Sequence, residues 1–162
     1  MVEYEYLPDG QLSQGDIIRG VGVISRKTGV EDEEIISTPS NVIVLSQNCE
    51  IDKFVKKRKH GNLLVAAVTQ LSILDKNDQR LAREGRIFNY FYLPEGGTLP
   101  LECAIDWRTL QPVPLLPVAD MRNHSSYVCT VTGDLHKAMA AHLFNFFFRP
   151  LEMSITMPAG SE

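Results

Sequence analysis

Asn41-Val42-Ile43-Val44-Leu45-Ser46 is the stretch on which the fold turns. It is a continuous, largely β-branched run, too short for a helix and short enough for a buried strand. Upstream, Gly15-Asp16 opens a mostly apolar run from Ile17 to Ile24. Its two glycines predict a bulge or sharp bend, as a small barrel requires. Downstream, Leu63 to Thr69 (LLVAAVT) reads as the next strand. Phe88 to Leu93 alternates aromatic and polar residues before the turn signal Pro94-Glu95-Gly96-Gly97, with Leu99 to Ile105 as its hairpin partner. Val113 to Val118 reads as a last extended piece broken by prolines, and Ser126 to Val131 as a further short strand.

Two charged stretches interrupt this pattern. Thr28 to Glu34 is an acidic loop, and the segment between Ser72 and Arg86 reads as a loop carrying a short helix near Gln79 to Glu84. The end of the chain changes character. Thr132-Gly133-Asp134 reads as a helix start. Leu135, Met139, Leu143 and Phe146 then follow helical spacing up to Pro150, which stops a helix. The last turn, Phe144 to Phe148, is apolar nearly all round and is expected to be buried on more than one side.

The predicted architecture is mainly β with α (α+β), a small barrel with inserted loops. One domain spans 1–157, with a barrel core at about 12–118, a C-terminal helix at about 133–149 and a flexible tail at 158–162. A chain of 162 residues buries enough surface to fold without staples. No apolar run approaches the roughly 20 residues that cross a bilayer, so no membrane partner is expected. Cys49, Cys103 and Cys129 are an odd number at wide spacing, with no CxxC pair, which argues against a structural zinc site and fits a reducing cytoplasm. No metal or other cofactor is expected. The net charge of −4 argues against a uniformly basic nucleic-acid-binding surface.

The most suggestive chemistry lies in Ser46-Gln47-Asn48-Cys49-Glu50-Ile51-Asp52, polar groups at the end of a rigid strand. The neighbouring carboxylates disfavour a thiolate, which counts against Cys49 as a nucleophile. Glu50 and Asp52 read either as paired carboxylates or as solvated loop charges. Next comes a basic run in which Lys53, Lys56, Lys57, Arg58 and Lys59 fall within seven positions around Phe54. Such a run can hold phosphates, or simply offset the acidic loop.

Gly15-Asp16-Ile17-Ile18, then Val42-Ile43-Val44-Leu45-Ser46, then Leu64-Val65-Ala66-Ala67-Val68-Thr69 resembles the PemK/MazF family of small barrels. Ala104-Ile105-Asp106-Trp107-Arg108-Thr109-Leu110 looks like the family's late strand. The resemblance covers about residues 15 to 150, in three short motifs and this late segment. It implies a barrel of the Src-homology-3-like type and a metal-independent endoribonuclease toxin, usually dimeric and neutralised by an antitoxin. Thr69 matches the family's threonine, a hydroxyl near the reacting phosphate. The position of its phosphate-stabilising arginine falls on Ser40-Asn41, where no arginine stands. The long insert after Ser46 departs from the toxins as well.

Three readings therefore stand. The first is a binding or accessory module of a phage, mobile-element or toxin–antitoxin type system, with RNA, an antitoxin-like protein or a second copy as partner. The alternative is a sequence-selective endoribonuclease with Thr69, Gln47, Cys49 and Glu50 as candidate catalytic residues. The third is a cysteine-dependent enzyme using Cys49.

Overall fold

The computed structural model describes residues 3–27, 34–57 and 60–148. The basic-run residues Arg58 and Lys59, acidic-loop residues 28–33 and tail residues 158–162 lie outside these. Seven strands run in chain order: β1 (Tyr4–Glu5), β2 (Asp16–Lys27), β3 (Glu34–Val44), β4 (Asn62–Gln70), β5 (Tyr90–Leu93), β6 (Cys103–Pro114) and β7 (Tyr127–Val131). Four helices accompany them: α1 (Asn48–Lys56), α2 (Lys76–Arg83), α3 (Leu115–Arg122) and α4 (Gly133–Phe147). The fold is α+β. All strands pair antiparallel in one sheet of order β1-β7-β2-β3-β4-β6-β5.

The runs around Ile17, Val42 and Leu63 are continuously apolar because the central strands are covered on both faces. Side chains alternate between the faces along a strand. Ile17, Ile43, Ala66 and Val68 enter one core with Trp107 and with Met139 of α4. Ile18, Val42, Val44, Leu63 and Val65 enter the other, against Ile51 of α1 and Leu115 and Val118 of α3. The bend expected in β2 is present. The β2–β3 register shifts between Ile18 and Val21, where Gly20 adopts φ +76°, a conformation that glycine tolerates without steric penalty.

Three expectations are corrected. The sheet is not closed into a barrel: among the described residues no ladder joins β1 to β5. β1 is two residues long, and the residue after β5 is Pro94, which has no N–H to extend a ladder. Side chains tie this end of β5 to the β1–β7 edge instead. Tyr4 Oη donates to Pro94 O at 2.7 Å, and Thr98 Oγ1 donates to Val128 O at 2.6 Å.

The prolines near Val113 do not break a strand but start a helix. Pro114 is the extended residue before α3, and Pro117 lies in its first turn, where no backbone N–H is needed for the helix ladder.

Finally, the last turn of α4 is not enclosed. Met139 is buried against the sheet, whereas Phe144, Phe147 and Phe148 are 60%, 57% and 67% exposed. Leu135, Leu143 and Phe146 pack on the core from the inner face, and no described element covers the outer one.

Candidate functional site

The stretch that looked most like a site folds as the start of α1, not as a loop. Ile51, Phe54 and Val55 recur at helical spacing and pack on the core, which draws the segment into a helix. Its polar residues divide into two groups. Ser46 and Asn48 pin the backbone: Ser46 Oγ accepts from Leu64 N–H at 2.8 Å, and Asn48 Oδ1 accepts from Gln14 N–H at 2.7 Å. Gln47, Cys49 and Glu50 are exposed at the helix start, with Cys49 Sγ 3.7 Å from Gln47 Oε1. Lys53, Lys56 and Lys57 stand toward the other end, where cations favour the helix dipole, and Lys56 pairs with Asp52 at 3.7 Å.

Thr69 stands apart from this group. Leu45 at the end of β3 bonds Leu64, so Thr69 is five residues along β4, roughly 16 Å away at strand rise. The structure therefore does not bring Thr69 together with Gln47, Cys49 and Glu50.

Thr69 belongs to a different face, in one row with Ala104 of β6 and Tyr92 of β5. Asp106 is its diagonal neighbour, at a separation of about 7–8 Å for such pairs. Asp106 holds Arg108 through both carboxylate oxygens, at 2.9 and 2.8 Å, and Tyr90 Oη also accepts from that guanidinium. The Asp106 hydrogen bonds are the main reason the Arg108 guanidinium holds its proton more tightly than usual. Burial chiefly raises the Tyr90 hydroxyl. Nearby, Arg83 and Tyr92 both donate to Glu102, at 2.7 and 2.5 Å, holding its carboxyl at about 2, with Arg83 the larger cause. These charges are spent on tying α2 and β5 to β6.

The thiols also separate. Burial pushes Cys103 up and Cys129 up to about 11, whereas Cys49 is exposed. With an excess of alkylating reagent at pH 8, the native protein should lose one thiol fast and two only on unfolding. Rapid loss of all three would contradict this arrangement. Among the described residues, no group of three His, Cys, Asp or Glu side chains could hold a metal ion, and no helix is long and apolar enough to cross a membrane.

A cleft of about 500 Å³ lies elsewhere, between the 6–9 segment, the β2 bend and the turn joining α3 to β7. Tyr6, Asp9, Arg19, Asn123, His124 and Ser125 line its rim. Its floor is a buried ion pair: Arg122 Nε donates to Asp16 Oδ2 at 2.9 Å, with the two side chains 1% and 0% exposed. Thr130 Oγ1 donates to Asp16 Oδ1 at 2.5 Å and shares a 2.7 Å contact with Tyr127 Oη. The Arg122 guanidinium lies 3.5 Å from the Tyr127 ring centroid and donates to Leu7 O and Pro8 O.

Sequence reasoning did not find this cleft. Its residues come from four parts of the chain, and the local signal was the charged Asp16 at the start of a core strand. The scan against protein-family models finds no model that matches this chain, and the search of curated proteins finds no match.

Proposed function

We propose that the chain is a divergent, open-sheet relative of the PemK/MazF, Src-homology-3-like barrels that works by binding rather than by cleaving. The antiparallel succession β2, β3, β4, with Thr69 near the end of the third, supports the resemblance. So does the way Tyr4 and Thr98 bridge toward closure.

One observation carries the choice of binding over catalysis. Arg108, in the segment that resembles the family's late strand, is already neutralised by Asp106 and also donates to Tyr90 Oη. A phosphate in its pentavalent state needs a positioned cation, and removing such a stabiliser typically costs about 3–4 kcal/mol. Thr69 is left beside Ala104 and Tyr92, two side chains without positive charge. The basic residues of α1 lie at the far end of β4, so they do not serve Thr69.

Growth and RNA integrity test this directly. High expression in a bacterial host should leave growth and total RNA intact, and Thr69→Ala should change neither. Growth arrest with fragmented RNA, relieved by Thr69→Ala, would establish the nuclease and overturn the binding reading.

A further inference from the structure

We propose that the cleft above the Asp16–Arg122 pair holds a nucleotide unit, a flat base stacked on Tyr6 with its phosphate on Arg19. The inference rests on the binding reading and names the ligand class.

Three features converge there. The first is an aromatic platform. Tyr6 stacks on Tyr127 with centroids 5.5 Å apart and planes 17° apart, yet remains 56% exposed. One ring face is thus supported from within the fold and the ring still presents area at the cleft rim. Bases of any identity stack on such a face. The support is rigid, because Tyr127 is buried, carries Arg122 on its ring and hydrogen-bonds Thr130. The Tyr6 backbone is flanked by anchored groups: Glu5 O lies 3.2 Å from Tyr127 Oη, and Leu7 N–H donates to Tyr127 Oη.

The second feature is a cation that no ion pair holds. Arg19 is exposed, lines the cleft, and its side chain makes no hydrogen bond or ion pair among the described residues. Its backbone is fixed, since Arg19 N–H donates to Ser126 O at 2.8 Å. This contrasts with Arg83, Arg108 and Arg122, each held by a carboxylate.

The third is the remaining lining. Asn123, His124 and Ser125 offer polar groups on the turn facing Arg19, and Asp9 offers an acceptor for a base amino group. A volume of about 500 Å³ suits a ligand of nucleotide size. With Arg122 cancelled by Asp16 and Asp9 opposing Arg19, the cleft has little net charge. Stacking, not charge, should dominate the affinity.

The source of the unit is either a free mononucleotide or a single RNA strand, and the test separates them. Purified full-length protein is titrated with AMP and with hexaadenylate RNA by calorimetry, and the RNA from each titration is sized on a gel. Binding is expected, and Tyr6→Ala should weaken it about 10- to 100-fold while Tyr6→Trp retains it. Arg19→Ala should weaken it and flatten the plot of log affinity against log salt by about 0.7, the contribution of one phosphate contact on a single strand. Tighter binding of the hexamer identifies an RNA strand as the source; equal or tighter binding of AMP identifies a free nucleotide. If neither binds, or Tyr6→Ala binds as the wild type does, the proposal fails. Shortened RNA on the gel would instead overturn the non-catalytic reading and leave the stacking result standing on its own.

Discussion

Asp16→Ala should destabilise the protein by about 3–5 kcal/mol, the usual cost of removing one partner of a buried ion pair. The side chains of Asp16 and Arg122 are 0% and 1% exposed, so water cannot replace the lost carboxylate. Asp16 is also an acceptor hub. Ser13 N–H, Ser13 Oγ and Thr130 Oγ1 donate to it along with Arg122. Its removal therefore strands several donors as well as a guanidinium.

The pair itself need not be a large net stabiliser, because burying two charges costs nearly what their attraction returns. The double variant Asp16→Ala/Arg122→Met should accordingly recover a substantial part of the loss. Urea unfolding at pH 7 of the wild type, both single variants and the double variant measures this as a cycle. A loss below about 1 kcal/mol for Asp16→Ala would mean that the pair is far more hydrated than its burial indicates. The consequence extends to the cleft. Arg122 holds the carbonyls of Leu7 and Pro8, the segment that carries Tyr6, so the stacking platform should loosen before the sheet does.

The legible parts of this chain were those in which a local pattern reports burial directly. β3 and β4 were visible because strands covered on both faces must be apolar throughout, and α4 because Leu135, Met139 and Leu143 share one helix face. The bend in β2 was visible because Gly20 marks it. The expected α2, placed near Gln79 to Glu84, starts earlier at Lys76 because Asp75 caps it, accepting from Asn77 and Asp78 N–H.

What failed had competing local readings. Prolines at 114 and 117 fit either a broken strand or a first helical turn, and only the packing of Leu115 and Val118 on the second core decides. α1 is nine residues long with an acidic start and a basic end, a composition that looks like a solvated loop until Ile51 is seen to be buried. The exposed face of α4 was misjudged for a physical reason too: an apolar turn specifies that something favourable can cover it, not that this chain supplies the cover.

The site was least legible of all. Asp16 and Arg122 are 106 residues apart and Tyr6 and Tyr127 are 121 apart, and no periodicity links them. The motif-based residues Gln47, Cys49 and Glu50 did cluster, since they are sequence neighbours, but Thr69 was joined to them only by its place in a resemblance.

Trp107→Ala should cost about 3–5 kcal/mol, the range for deleting a large buried aromatic. Trp107 is 1% exposed in the core beneath α4. Its indole Nε1–H donates to His142 Nδ1 at 2.8 Å, and Phe91 packs edge-on against His142 at 5.5 Å. Trp107→Phe keeps most of the packing but removes the donor, so its cost should fall to the 1–3 kcal/mol of an unpaired acceptor plus a small cavity.

The same contact makes a pH prediction with a definite sign. The hydrogen bond needs His142 Nδ1 without a proton. Burial lowers the His142 pKa from its ordinary value, and a backbone hydrogen bond with Ile87 only partly opposes this. The unfolded chain therefore takes up the proton more readily than the folded one. The stabilisation is complete above the unfolded histidine value of about 6.5 and is lost as the pH falls below it through the lower folded value. Urea midpoints for the wild type and His142→Gln at pH 7.5 and pH 5, followed by the fluorescence of Trp107, the chain's one tryptophan, isolate this contribution. The wild type should lose more stability than His142→Gln between the two pH values. An equal loss would mean that His142 takes up its proton as readily in the folded protein as in the unfolded chain, and the α4–β6 contact would then rest on packing rather than on the indole hydrogen bond.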